Sequence, residues 1–259
     1  MNIQIYRGFR VAIAPVIFAV LLCCATSLAA DGAADGSDWQ YKAGVYAWGS
    51  QITVTTPRGD VELPFYKILD DLQFTFMGAV VASKDKWTFT GDVIYLDMKQ
   101  DINRQRDFLD NGVIDITGNS RMKNWIVTPT AGYAVHASDK ARIEILGGVR
   151  YLWLKSSADI KFNGVDKFNQ SVSDSYWDAI IGARATISLN ENWYMPLYLD
   201  IGTGDSDGTW QGLAGIGYKF NSFNTILGYR YLDYEFDKSN KVMEELNVAG
   251  PFLGLMFRF

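Results

Sequence analysis

From Trp39 to the C-terminus the chain repeats one unit: about ten to twenty residues of alternating character, then a turn. In Trp193 to Ile201, Trp193, Met195, Leu197, Leu199 and Ile201 fall on one face, and Tyr194, Pro196, Tyr198 and Asp200 on the other. Trp177 to Leu189 repeats the pattern, with Ala179, Ile181, Ala183, Ala185 and Ile187 opposing Asp178, Gly182, Arg184, Thr186 and Ser188. A period of two belongs to β-strands. Ten strands are expected, over 38–56, 74–83, 87–101, 120–137, 141–158, 175–189, 192–203, 209–220, 223–236 and 245–259. Their connections alternate between tight turns and longer polar stretches at 57–73, 102–119, 159–174, 204–208 and 237–244. Short turns at one end and long loops at the other are the plan of an outer-membrane barrel.

Alternation alone also fits a soluble sandwich or a lipocalin-like barrel, with the apolar face inward. Three features favour the inside-out alternative. One face is bulky and apolar, while the other mixes glycine with charge, as in a confined polar interior. Aromatic residues gather near strand ends, at Trp39, Tyr41, Trp87, Tyr133, Trp153, Trp177, Trp193 and Phe220, where girdles would meet lipid headgroups. The chain ends in Phe257-Arg258-Phe259, and a terminal strand closing on an aromatic resembles the signal read by barrel assembly machinery. The expected fold class is therefore all-β: a single up-and-down antiparallel transmembrane β-barrel over residues 38–259. A net charge of -5 and an isoelectric point near 4.9 argue against a nucleic-acid partner.

The N-terminus reads as an address. Arg7 and Arg10 form a positive region, Val11 to Leu22 an apolar one, and Ser27-Leu28-Ala29 sets small residues before a cleavage point at Ala30. Residues 1–29 are thus expected to be a removed secretory signal and 30–37 a short periplasmic segment. A membrane anchor is disfavoured by the shortness of the apolar run. A lipoprotein is disfavoured because no small residue precedes Cys23 or Cys24. Both cysteines leave with the signal, so the mature chain has no disulfide or thiol chemistry.

The C-terminal third carries a more specific likeness. Thr209 to Phe220 (TWQGLAGIGYKF), Gly228 to Tyr234 (GYRYLDY) and Gly250 to Phe259 (GPFLGLMFRF) resemble small Gram-negative outer-membrane β-barrel proteins of the broad OmpA/OmpW-like superfamily. The opening strand, Leu63-Pro64-Phe65 and Trp87 to Leu96 extend the resemblance over most of the mature chain. It implies location in the bacterial outer membrane with both termini periplasmic. The implied partners are outer-membrane lipid, lipopolysaccharide and the barrel assembly machinery, with Phe257 and Phe259 as the assembly signal. Most members have no assigned activity. Many have eight strands, which stands as the alternative to ten.

Enzymatic barrels need a general base. His136 is the one histidine, beside the Ser138-Asp139-Lys140 turn, and reads as a solvated rim residue. There is no Gly-x-Ser-x-Gly elbow and no cluster suited to zinc, so no enzyme, metal or cofactor is expected. Gly204-Asp205-Ser206-Asp207-Gly208 resembles a calcium loop but lacks the ligand spacing, and reads as a polar hairpin tip. Phe65, Ile68, Leu69 and Leu72, behind Pro64, predict a short amphipathic helix at the rim.

Strand parity directs Lys42, Asp92, Glu144, Arg150, Asp178, Arg184, Asp200, Lys219, Arg230 and Arg258 into the lumen. In a narrow interior such charges should pair. They form either a constriction that passes small solutes or a salt-bridged plug, and ten strands lie near the closed end of that range. The expected role is structural, or passive passage of small solutes. A surface receptor or adhesin is the alternative, and a lipid-modifying enzyme comes third.

Overall fold

The computed structural model describes residues 39–56, 59–108, 112–162, 165–237 and 243–259. The expected signal at 1–29 and the segment 30–37 lie outside the described residues. The elements in chain order are β1 (Gln40–Trp48), β2 (Gln51–Thr56), β3 (Gly59–Leu63), α1 (Phe65–Asp71), β4 (Leu72–Lys84), β5 (Trp87–Phe108) and β6 (Gly112–Ala137). They continue with β7 (Ala141–Phe162), β8 (Val165–Ser188), β9 (Trp193–Gly204), β10 (Gly208–Lys219), β11 (Phe223–Glu235) and β12 (Glu245–Arg258).

Every neighbour pair is antiparallel, and β4 to β12 follow one another in sequence order. β1 then pairs with β4 on one side and β12 on the other, which closes ten strands into a barrel. The eight-strand alternative falls away.

Burial shows which face is which. Val80, Ile145, Ile181, Leu199, Ile201, Leu227 and Leu253 are exposed, while Arg150, Asp178, Asp200 and Arg230 are buried. Bulky apolar side chains on the outside and charges on the inside invert the pattern of a water-soluble domain. That is the arrangement of a barrel wall facing lipid. Aromatic pairs mark both edges of the apolar band. Trp87 meets Tyr133 near the tight turns, and Tyr95 meets Trp125 toward the other end. Inner-face glycines make room for rings on the neighbouring strand. A Cβ on Gly217 would collide with the Tyr194 ring opposite it, and one on Gly228 with the Phe252 ring.

Three expectations are corrected. The first strand is not continuous over 38–56. It breaks at Gly49-Ser50, where Gly49 N–H donates to Pro251 at 2.8 Å, and beyond the break β2 pairs with β12 and β3. The stretch 57–73 holds, besides the expected helix, a strand that was not expected, β3. The stretches 102–119 and 159–174 are largely strand. β5 to β8 run to 22, 26, 22 and 24 residues, against 12 to 14 in β9 to β12. At roughly 3.3 Å per residue the four long strands project on the order of 30 Å beyond the rest. Their apolar residues are sparse and do not keep a period of two among the polar ones, which is why they read as loop.

α1 forms behind Pro64, but only Ile68 among its apolar residues is buried, with Leu72 half-buried just after it. Phe65 and Leu69 remain exposed.

Candidate functional site: a layered lumen

The inner faces of the strands build three layers. At the long-hairpin end lies an apolar roof. Trp48 on β1, Ile94 and Leu96 on β5, Ile126 on β6, Leu152 on β7, Leu232 on β11 and Phe252 on β12 pack together, with Ile68 of α1 among them. Trp48 is fixed by its indole N–H donating to Gly250 at 3.1 Å across the β1–β12 seam.

Beneath the roof lies a layer of matched charges. Arg150 donates from Nη2 to Asp200 Oδ2 at 2.5 Å and from Nη1 to Thr209 Oγ1 at 3.0 Å, and both ionic side chains are 0% exposed. Asp178, on the strand beside Arg150, accepts from the backbone N–H and hydroxyl of Ser206 at 2.9 and 2.8 Å, so a lumen carboxylate anchors the 204–208 turn. Arg230 donates to Asp92 at 2.9 Å, to the Tyr46 hydroxyl at 2.9 Å and to Gln211 at 2.7 Å, and its guanidinium lies 5.0 Å from the Trp48 ring. The Tyr46 hydroxyl in turn donates to Asp92 at 2.9 Å. A charge so far from water is held only by close partners, and each arginine here has a carboxylate.

The tight-turn end forms a vestibule of different make-up. Glu144 accepts from Thr88 Oγ1 at 2.7 Å, from Arg142 Nε at 2.7 Å and from Arg184 Nη1 at 3.4 Å. Arg184 also reaches the hydroxyls of Thr90 and Thr130. Lys42 and Arg258 face each other across the β1–β12 pairing, and Arg258 donates to the carbonyls of Phe220 and Asn221. The Lys219 ammonium lies 5.8 Å from the Tyr194 ring.

Of the ten charges read from parity, Glu144, Arg150, Asp178, Asp200 and Arg230 are buried, Lys42, Asp92, Arg184 and Lys219 are half-buried, and Arg258 is exposed at the turn end. Arg142, absent from that set, shares the face of Glu144 and Arg150, so the same parity could have included it. Tyr46 was not legible, because its partners Asp92 and Arg230 lie far along the chain, and Gln211 carries no charge to draw notice beside Arg230. His136 lies past a register shift in the β6–β7 pairing, exposed, with Nε2 3.3 Å from the Ser138 hydroxyl. Among the described residues no three histidines, cysteines or carboxylates converge on a metal position.

No family model and no curated protein sequence matches the chain. Among solved structures, it is similar to the translocator domain of the autotransporter NalP from Neisseria meningitidis, with 13% identity over 87% of this chain and 90% of that one and a TM-score of 0.48. It is similar to the outer-membrane protease OmpT from Escherichia coli, with 9% identity, 85% and 96% coverage and a TM-score of 0.46. The attachment invasion locus protein Ail of Yersinia pestis aligns with 14% identity, 86% and 99% coverage and a TM-score of 0.36. What makes this chain a closed barrel is its own strand pairing.

Proposed function

We propose that this is a non-enzymatic integral outer-membrane barrel whose lumen is sealed, with a structural role rather than one in solute passage. The observation that carries this reading is a cross-section with no water in reach. Leu152, Leu232 and Tyr234 of the apolar cluster and Arg150 are 0% exposed, and Asp178 and Asp200 are 1% exposed. Ten strands enclose a space that side chains of this size fill. Reconstitution into planar bilayers tests it. The expected result is no unitary conductance, and discrete ohmic steps would restore the channel reading.

In the proposed orientation, a leader over 1–29 directs export, Phe257 and Phe259 serve assembly, and the tight turns and both termini face the periplasm. Phe259 supports this as an exposed aromatic whose N–H donates to Tyr41 at the seam. Protease added to intact cells should then cut within 57–73 or 159–174 and spare Asp139-Lys140. Contact with lipopolysaccharide is supported by Arg121, Lys123 and Lys155, which share the outer parity of Trp125 and Trp153 beyond the aromatic edge.

One observation favours a second reading, as a surface receptor or adhesin. The projecting part of β5 to β8 is a four-stranded sheet clear of the barrel, and its β8 edge is unpaired with β9 before Asp178. Loss of cell binding on trimming both long hairpins, with the barrel still folded, would establish it.

A further inference from the structure

The vestibule carries a charge excess that the layer above it does not. Five cations from five strands face it: Lys42 on β1, Arg142 on β7, Arg184 on β8, Lys219 on β10 and Arg258 on β12. One lumen carboxylate, Glu144, answers them, and it is already engaged by Arg142 and Arg184. Lys42 is set against burial first, then against repulsion from Arg258, Arg142 and Lys219, with Glu144 attracting it. Among the described residues, Lys42, Lys219 and Arg258 have no carboxylate partner within ion-pair distance. The rim turns do not redress the balance, since Asp85, Asp139 and Glu191 are matched there by Lys84, Lys86 and Lys140.

Like charges opposite each other in a sheet repel, and a wall of low dielectric strengthens the repulsion. The mid-lumen arginines show how this chain neutralises a cation it means to keep internal. The vestibule cations are arranged otherwise: Lys42, Arg142, Arg184 and Lys219 are half-buried and Arg258 is exposed at the turn end. Ammonium groups offer point charges and guanidinium groups planar forks, a combination suited to phosphoryl oxygens.

We propose that the vestibule is a binding site for a small, soluble, polyvalent oxyanion of the phosphate class. Three inner-parity cations without a carboxylate partner at one end of the lumen, close enough for Arg258 and Lys219 to act on Lys42, favour several charges on one ligand over separate monovalent ions. The site lies inside the barrel wall, out of reach of lipid headgroups, and it does not depend on the seal above it.

Isothermal titration of the folded chain in zwitterionic micelles with inorganic pyrophosphate, at ionic strength held constant with sodium chloride, tests the proposal. Saturable binding at one site is expected. The double variant Lys42→Gln/Lys219→Gln should weaken it by about tenfold or more. The rim double variant Lys84→Gln/Lys140→Gln should change it by less than about twofold. The gel shift on heating shows whether each variant is folded, and Arg258→Gln gives the same reading if the lysine pair fails to fold. Absence of saturation, or equal weakening in the rim variant, would overturn the site.

Discussion

The two ends of the lumen solve the same problem in opposite ways. Each must fill the inside of a ten-stranded wall. The hairpin end fills it with Trp48, Ile94, Leu152, Leu232 and Phe252, and closes matched ion pairs underneath. The turn end fills it with long cations that stay partly in water, as in Arg184 at 22% side-chain exposure. Burial stabilises the first end by excluding water, and hydration tolerates the charge excess of the second. A substitution should therefore act on stability at the hairpin end and on ion response at the turn end.

The sharpest way to break this contrast is Arg150→Met. It leaves Asp200 buried without its cation, and removing one partner of a buried pair typically costs roughly 3–5 kcal/mol. Urea unfolding in micelles should show that loss, and an unchanged midpoint would mean that water reaches the pair. Next comes Leu232→Ala in the roof. It should destabilise by about 2–5 kcal/mol, and the same unfolding series measures it. Arg184→Met should cost less, about 1–3 kcal/mol, since water can replace part of what Glu144 loses. Lys140→Ala, in an exposed turn, should stay within about 0.5 kcal/mol. An Arg184 effect as large as that of Arg150 would erase the difference between the two ends.

The smallest expected effect is a pH response outside the apolar band. Asp97 accepts from Arg121 at 2.8 and 2.6 Å and lies 3.6 Å from Lys123. Hydrogen bonds from Arg121 hold its carboxyl below the usual carboxylate range, the charges of Arg121 and Lys123 add to this, and desolvation opposes it. Because the folded value is the lower one, its stabilisation is fully present above about pH 4 and is lost as the pH falls through the depressed value. Asp97→Asn should flatten the acid limb of an unfolding profile below about pH 4 and lower neutral stability by the same small amount, because the stabilisation lost on acidification is the one the variant lacks throughout. An identical acid limb in that variant would remove Asp97 from the account.

How much of this was legible in the sequence depended on solvent. Where one face meets lipid and the other the lumen, as in β9 from Trp193 to Ile201, alternation is strong and the strand declares itself. In the upper part of β8, residues 169–175 are exposed on both faces, so the pattern vanishes although the strand continues. The break at Gly49-Ser50 is invisible for a further reason, because it depends on Pro251 at the far end of the chain. Pairings within the lumen share that obstacle. Parity can assign Asp92 and Arg230 to a face, but they lie 138 residues apart, and no local pattern matches one to the other.

The seam between β1 and β12 has a consequence for how the molecule comes into being. The Trp48–Gly250 bond there joins residues 202 positions apart. Contacts of such sequence separation demand a large loss of chain entropy before they return any stability, and they set slow folding. Until residues 245–258 exist, β1 and β11 are both open edges, and open edges invite pairing with other chains. Ordering is thus deferred to the finished polypeptide. A truncated product of any length short of the last strand is a candidate for aggregation rather than a smaller working barrel.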